Sequence, residues 1–226
     1  MALRLIAIGD LHGEVTLLSG LLQNLRLTHE DRLVFLGDYV DRGENSPATI
    51  DLLRILATQH HCIFLRGNHE DMMMDHCLNT KRYPAGLWEQ NGGAVTLMQY
   101  RHGVPYEHLG FLMNTIPLYQ LGNMLFVHAG FNPEKPITEQ TAHDMIWMRE
   151  PWLSKGTVKD FDGLVFHGHT PTEDGKPNQV NRRIGLDTMA YKSGILTAAI
   201  LEENAEPVFV QIAKDDTEAP IKEPAA

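Results

Sequence analysis

Five short apolar runs in this chain end in the same way. Leu3 to Ile8 leads into Gly9-Asp10-Leu11-His12-Gly13, and Arg32 to Leu36 leads into Gly37-Asp38-Tyr39-Val40-Asp41-Arg42-Gly43. Cys62 to Leu65 leads into Arg66-Gly67-Asn68-His69-Glu70, Met124 to Val127 into His128-Ala129-Gly130, and Leu164 to Phe166 into His167-Gly168-His169-Thr170. Runs this short and this apolar read as strands buried on both faces. In open α/β sheets ligands bind beyond the carboxyl ends of such strands, where glycine lets the backbone turn sharply and approach a ligand closely. The Asp, His and Asn side chains of the five turns are therefore expected to converge.

Between the first two runs, Val15, Leu18, Leu22 and Leu25 recur at helical spacing over Glu14 to Leu27. Pro47 to Leu56 reads as a second helix, with Ser46 as N-cap and Pro47 at its first position. Strand, helix, strand, helix, strand is the order of βαβ units. From 72 to about 108 the pattern loosens through Met72-Met73-Met74, Tyr83-Pro84, Trp88 and Asn91-Gly92-Gly93, which predicts a cap of helices and loops over one rim. Arg183 to Asp187, Ile195 to Leu201 and Pro207 to Gln211 look like sequential strands of a second sheet. The expected fold class is α/β, a two-sheet β-sandwich flanked by helices in four layers, α/β/β/α. With 226 residues, 43% of them apolar, one domain over 1–212 can bury a sizeable core. The polar, Pro-rich stretch 213–226 predicts a disordered tail.

A formal net charge of -10 works against sequence-independent binding to nucleic acid or anionic lipid, both of which need a basic surface. Neither is expected as a partner. Cys62 and Cys77 form no CxxC pair, which gives no support to a disulfide framework or structural zinc and points to reduced thiols. The N-terminal apolar run is too short for a signal peptide, and no later run approaches membrane-spanning length. A cytoplasmic protein is the expectation, with a monomer as its simplest state.

Carboxylate oxygens together with imidazole nitrogens suit Mn, Fe or Zn. The donors are more than one ion needs. A carboxylate such as Asp38 can bridge two ions about 3.5–4 Å apart, an arrangement that clamps the attacking and leaving oxygens of an in-line displacement at phosphorus and acidifies a water between them. Arg42 and Arg149 offer planar forks to phosphate oxygens. His69, next to Asn68, could act as general acid, with Asp41 orienting its ring. Direct attack by water, with no covalent enzyme intermediate, is the economical mechanism.

Gly9-Asp-Leu-His-Gly, Gly37-Asp-Tyr-Val-Asp-Arg-Gly and Gly67-Asn-His-Glu resemble, in order and spacing, the three signature motifs of the phosphoprotein phosphatase family of calcineurin-like metallophosphoesterases. His128-Ala-Gly, Trp147-Met-Arg149-Glu and Gly168-His169-Thr-Pro resemble its later motifs, so the likeness runs from about Leu5 to Leu201. The last of these is similar to the bacterial and phage lambda branch. The resemblance implies Asp10 and His12 on one metal, Asp38 bridging, and Asn68, His128 and His169 on the other. It implies phosphate held by Arg42 and Arg149 beside Asn68, an acid and orienter pair of His69 and Asp41, and two divalent ions, Mn²⁺ or a mixture of Fe and Zn. The activity implied is hydrolysis of phosphoserine or phosphothreonine in proteins, with phosphotyrosine included because no counterpart of the eukaryotic active-site tyrosine loop aligns and Tyr191 sits only in a comparable region. A diadenosine tetraphosphatase is the rival within the enzyme class.

A catalytically inactive domain that binds phosphorylated partners is the rival from another class. Retention of His69, Asp41, both arginines and every expected ligand speaks against it. His167 alternates with His169 along a strand, and a supporting role is expected for it. Met72 to Met74 are expected to fill core, with an adaptable substrate surface as the alternative. His60, His61, His76, His102 and His108 read as surface or cap residues, and substrate selectivity is expected in the cap around Trp88 and Asn91.

Overall fold

In the computed structural model, which describes residues 4–156, 158–202 and 205–217, the central strands are short and alternate between two apolar environments. The first three, β1 (Leu5–Ile8), β2 (Arg32–Phe35) and β3 (His61–Phe64), run parallel, linked by α1 (Val15–Leu25) and α2 (Ser46–Gln59). Ile6 and Ile8 of β1 pack under the helices with Leu17, Leu18, Leu21 and Leu53, while Leu5 and Ala7 face the other way. That other side is the interior of a sandwich. Leu5, Ala7, Val34 and Leu36 meet Phe126, Phe166, Ile184 and Leu186 of a second sheet, and the Phe126 and Phe166 rings stack 5.1 Å apart.

The second sheet has the order β4 (Leu118–Leu121), β5 (Met124–Val127), β6 (Leu164–His167), β8 (Arg183–Gly185), β7 (Asn178–Val180). Its outer face, Leu125, Val127 and Val165, is covered by Met145 of α6 (Ala142–Trp147) and Trp152 of α7 (Trp152–Lys155). The α/β/β/α layering expected from the sequence is present.

One strand assignment needs correcting. β9 (Ile195–Leu201) and β10 (Val208–Ala213) belong to the first sheet, whose order is β10-β9-β1-β2-β3, rather than lying beside β8. Proximity in sequence suggested the wrong neighbour. β9 pairs antiparallel with β1, Leu5 opposite Leu201 and Ile8 opposite Ala198. There Leu196 and Ala198 face the helices while Ala199 and Leu201 face the sandwich interior, so both apolar faces are covered. The chain changes sheets through α8 (Ala190–Ser193).

The tail expectation also changes at its start. Ala213 ends β10, and Lys214–Thr217 form a helical turn, α9, that lies against α1. Lys214 Nζ is 3.1 Å from Glu14 and 3.6 Å from Glu44, which ties the turn to the loops bordering α1 and α2. Residues 218–226 lie outside the described residues.

The cap segment is more embedded than its sequence suggests. Asn68–Leu78 form α3, which begins within the third motif, and Met72, Met73 and Met74 are core. After a π turn at Glu89–Gly93 come α4 (Ala94–Gln99) and α5 (Tyr106–Met113). His108 is buried, not exposed, with its ring between Tyr100 Oη at 2.8 Å and Asp51 at 2.9 Å.

Candidate active site

Three of the five strand-end turns carry non-glycine residues in the left-handed backbone region. His12, Asp38, Asp41, Arg42 and His169 all have φ between 44° and 76°. L-residues avoid this region, and clusters of them mark functional loops held in place by their surroundings. Glycine makes the close approaches: a Cβ at Gly67 would strike Asp38 Oδ1, and one at Gly168 would strike Asp10 Oδ1.

The turns are held together by one buried acid that sequence reading left without a role. Glu70 accepts the Asp38, Tyr39 and Gly67 N–H groups at 2.7–2.9 Å, joining the second turn to the third. Burial and the charge of Asp38 push its carboxyl up to about 7, against those donors. Its signal was its place in the first turn of α3, where an acid meets free N–H groups. The second turn is also held from α2, where Ser46 Oγ accepts the Asp41 N–H at 3.0 Å. Asn45, not Ser46, caps that helix by accepting the Ala48 N–H.

The histidines present themselves as ligands would. His12 Nδ1 sits 2.9 Å from the Val40 carbonyl and His128 Nδ1 2.8 Å from that of Leu36, so each ring donates backwards and aims Nε2 at Asp38. Metal-bound histidines are oriented in this manner by carbonyls behind them. The two Nε2 atoms reach opposite oxygens of one carboxylate, His12 to Oδ2 at 3.5 Å and His128 to Oδ1 at 3.3 Å. Asn68 Oδ1 lies 3.1 Å from His128 Nε2 and 3.0 Å from His169 Nδ1.

The donor atoms of His12, Asp38 and His69 lie within 4.8 Å of one another, and so do those of Asp38, His128 and His169, so Asp38 is common to two trios. All these side chains are buried. Asp10, expected as a ligand, stands outside both trios, and His69, expected as an acid, stands inside one.

Two observations test whether cations fit here. Asp10 Oδ1 and His169 Nε2 are buried with no hydrogen-bond partner, and native interiors rarely leave such atoms unmatched. Carboxylates are also crowded, because Asp187, unassigned from the sequence, is buried close enough for its charge to act on Asp10. Burial and Asp187 push Asp10 well above the usual carboxylate range, while burial, with Asp38 adding to it, pushes Asp187 up to about 6. Divalent cations would satisfy the orphan atoms and the excess acid together. Burial holds His12 well below the ordinary imidazole value and pushes His169 down to about 2, leaving both neutral with a ring lone pair to offer. His128 is different: burial opposes its charge, but Asp38 raises it to about 10. Despite burial, His128 and His69 hold Asp38 well below the usual range.

His69 is fixed from behind. Asp41 Oδ2 lies 2.6 Å from its Nδ1 and also accepts Trp88 Nε1–H at 2.8 Å, while Oδ1 accepts the Thr96 hydroxyl at 2.6 Å. Nε2 therefore faces the centre, 3.9 Å from Asp38 Oδ2. Trp88, in the cap where substrate selectivity is expected, is buried and positions Asp41. The Asn91 carbonyl accepts Arg42 Nε at 3.2 Å, and a Cβ at Gly92 would lie 2.6 Å from the Arg42 side chain.

Arg42 also lies 5.0 Å from the Tyr191 ring and puts Nη1 2.9 Å from His12 Nε2. Both arginines line a cavity of about 180 Å³ with Asp38, Asn68, His69 and His169. Tyr191, Trp147 and Asn91 form its mouth. Arg149 is exposed there, with one 3.3 Å bond to the His169 carbonyl. His167 faces away from this cavity: its ring packs on Trp152 at 4.8 Å and its Nε2 is 3.3 Å from Arg183.

Known proteins match this chain over most of its length. The chain is 28% identical over 211 residues to serine/threonine-protein phosphatase 1 of Salmonella typhimurium (strain LT2), covering 86% of this chain and 90% of that one. It is 28% identical over 226 residues to bis(5'-nucleosyl)-tetraphosphatase PrpE of Geobacillus thermodenitrificans (strain NG80-2), covering 84% and 87%. Among solved structures, the cold-active protein-tyrosine phosphatase of a Shewanella species superposes with a TM-score of 0.65 at 19% identity, over 96% of this chain and 79% of that one. The calcineurin-like phosphoesterase family model matches residues 3–196, and the chain belongs to that family of metal-dependent phosphoester hydrolases.

Proposed function

We propose that this enzyme is a two-metal phosphomonoesterase that removes phosphate from serine and threonine side chains of proteins, with tyrosine as a further substrate. The observation that carries the reading is the size of the cavity between the two arginines. At about 180 Å³ it has room for a phosphoryl group and the first atoms of its ester, which leaves the rest of a substrate outside, as a folded phosphoprotein requires.

In this reading Asp10 and His12 would hold one ion and Asn68, His128 and His169 the other, with Asp38 shared between them. Two bound divalent ions, of which manganese suits the oxygen and nitrogen donors, supply Lewis acidity and lower the pKa of water. Arg42, steadied by the Asn91 carbonyl and Tyr191, and Arg149 across the mouth bind the phosphoryl oxygens beside Asn68 and stabilise charge as the ester bond breaks. His69 gives its Nε2 proton to the departing serine or threonine oxygen while Asp41 holds the ring. Water supplies the new oxygen on phosphorus, so no covalent enzyme intermediate forms.

The second reading is hydrolysis of dinucleoside tetraphosphates, favoured by the equal identity to the Geobacillus enzyme over nearly the whole chain. Assay of phosphoserine, phosphothreonine and phosphotyrosine peptides beside diadenosine tetraphosphate, with Mn²⁺, separates the two. The proposal expects kcat/KM for the best phosphopeptide to exceed that for the dinucleotide. A dinucleotide preference of tenfold or more would replace it with the second reading.

A further inference from the structure

Behind the loop that carries His169 lies a second cavity, of about 470 Å³, which shares only Pro171 with the phosphate pocket. Its floor is a row across the second sheet. Asn178 of β7, Gly185 of β8 and His167 of β6 are paired neighbours, and the absent side chain at Gly185 leaves the floor open. A Cβ there would lie 3.1 Å from the His167 ring. Arg183 is two residues before Gly185 on the same strand and so shares its face.

Arg183 is 7% exposed. Its Nε donates to the Leu153 carbonyl at 3.0 Å and its Nη1 to His167 Nε2 at 3.3 Å, both uncharged acceptors. Among the described residues no carboxylate forms an ion pair with it, and the exposed Glu150 supports its charge only from a distance. Its guanidinium also lies 6.0 Å from the Trp152 ring, but a buried cation without a counter-charge is costly. An open space whose volume lies in the range of small-molecule sites is therefore bordered by a buried cation that has no counter-charge. Glu173 and Asp174 at its mouth are exposed, where water and salt screen them, whereas the Arg183 charge is not screened in this way.

We propose that this cavity binds a small oxyanion of the phosphate class, held by the free guanidinium N–H groups of Arg183. Arginine grips such a group with two parallel hydrogen bonds. The bound ion completes the charge of Arg183 and braces the loop between His167 and Thr170, in which His169 lies. The site is independent of the catalytic reading, since none of its residues lines the phosphate pocket except Pro171.

Inorganic phosphate is the probe. Equilibrium dialysis of the metal-loaded full chain against radiolabelled phosphate is expected to show two phosphates bound per chain. Arg183→Met is expected to bind one, and Arg42→Ala/Arg149→Ala to retain the one at Arg183. Asn178→Glu changes an exposed residue of the floor and brings a carboxylate towards Arg183. It is expected to lose the same single phosphate with the fold intact, so it decides the matter if Arg183→Met does not fold. Wild-type stoichiometry in both folded variants, or one phosphate in the wild type that disappears with Arg42 and Arg149, would overturn the proposal.

Discussion

The two sheets contribute to the site in different ways. The first supplies Asp10, His12, Asp38, Asp41, Arg42, Asn68 and His69 from three consecutive parallel strands, and nearly every one is held by a further hydrogen bond. Asp41 alone accepts from three side chains. The second supplies His128 and His169, buried like the acids and histidines of the first set, but also Arg149, which is exposed and anchored by one 3.3 Å bond. One side of the cleft is therefore a rigid framework for the chemistry, and the other closes the metal site and leaves its outer arginine adaptable. Substitutions on the first side should damage chemistry, and those at the rim of the second should damage substrate capture.

The largest effect is expected where both sheets meet. Asp38→Asn removes the charge that His12 and His128 approach from opposite sides. Turnover should fall on the order of 10³-fold or more, with bound metal dropping to one ion or none per chain. Full activity after dialysis would break the idea of a shared carboxylate.

His69→Asn comes next, and its effect should depend on the leaving group. General-acid catalysis contributes about 10²–10⁴-fold. A serine alkoxide needs the proton and a nitrophenolate does not, so a phosphoserine peptide should suffer far more than p-nitrophenyl phosphate, with metal content unchanged. Equal losses would assign His69 to metal binding or positioning, as its place in a donor trio with His12 and Asp38 allows.

A third expectation concerns pH. His128 is raised to about 10 by Asp38, so the metal-free site holds a proton that an ion must displace. A raised pKa favours the protonated form below it, so apparent affinity for the ion coordinated by His128 should rise with pH from 6.5 to 10, by up to about tenfold per unit. Calorimetry in buffers of different ionisation enthalpy should count about one proton released at pH 8. No release would show that His128 stays out of the coordination shell. The smallest effect is expected at the rim, where Arg149→Lys loses the bidentate fork but keeps the charge. There kcat/KM should fall by about tenfold or less, mostly through KM, with metals retained.

The first side of the cleft is also the part most legible in the sequence. Its motifs are contiguous, each follows an apolar run, and the side chains that converge are those adjacent to the glycines. The second side was readable only in its strand-end histidines. The true partner of β9 was hidden because residues 195–201 are apolar on both faces and would suit either sheet. Asp187 was passed over although it follows an apolar strand as the other five turns do. Glu70 and Trp88 act through contacts with Asp38, Tyr39 and Asp41 that are 32, 31 and 47 residues away in sequence, which no local pattern reveals.

The central claim is that the two sheets share a two-ion site through Asp38, and metal counting on three proteins tests it most directly. Wild type, His12→Ala and His128→Ala, loaded with Mn²⁺, dialysed and analysed by mass spectrometry for metal per folded chain, are predicted to hold two, one and one. A single ion in fully active wild type, or two ions in both variants, would contradict it.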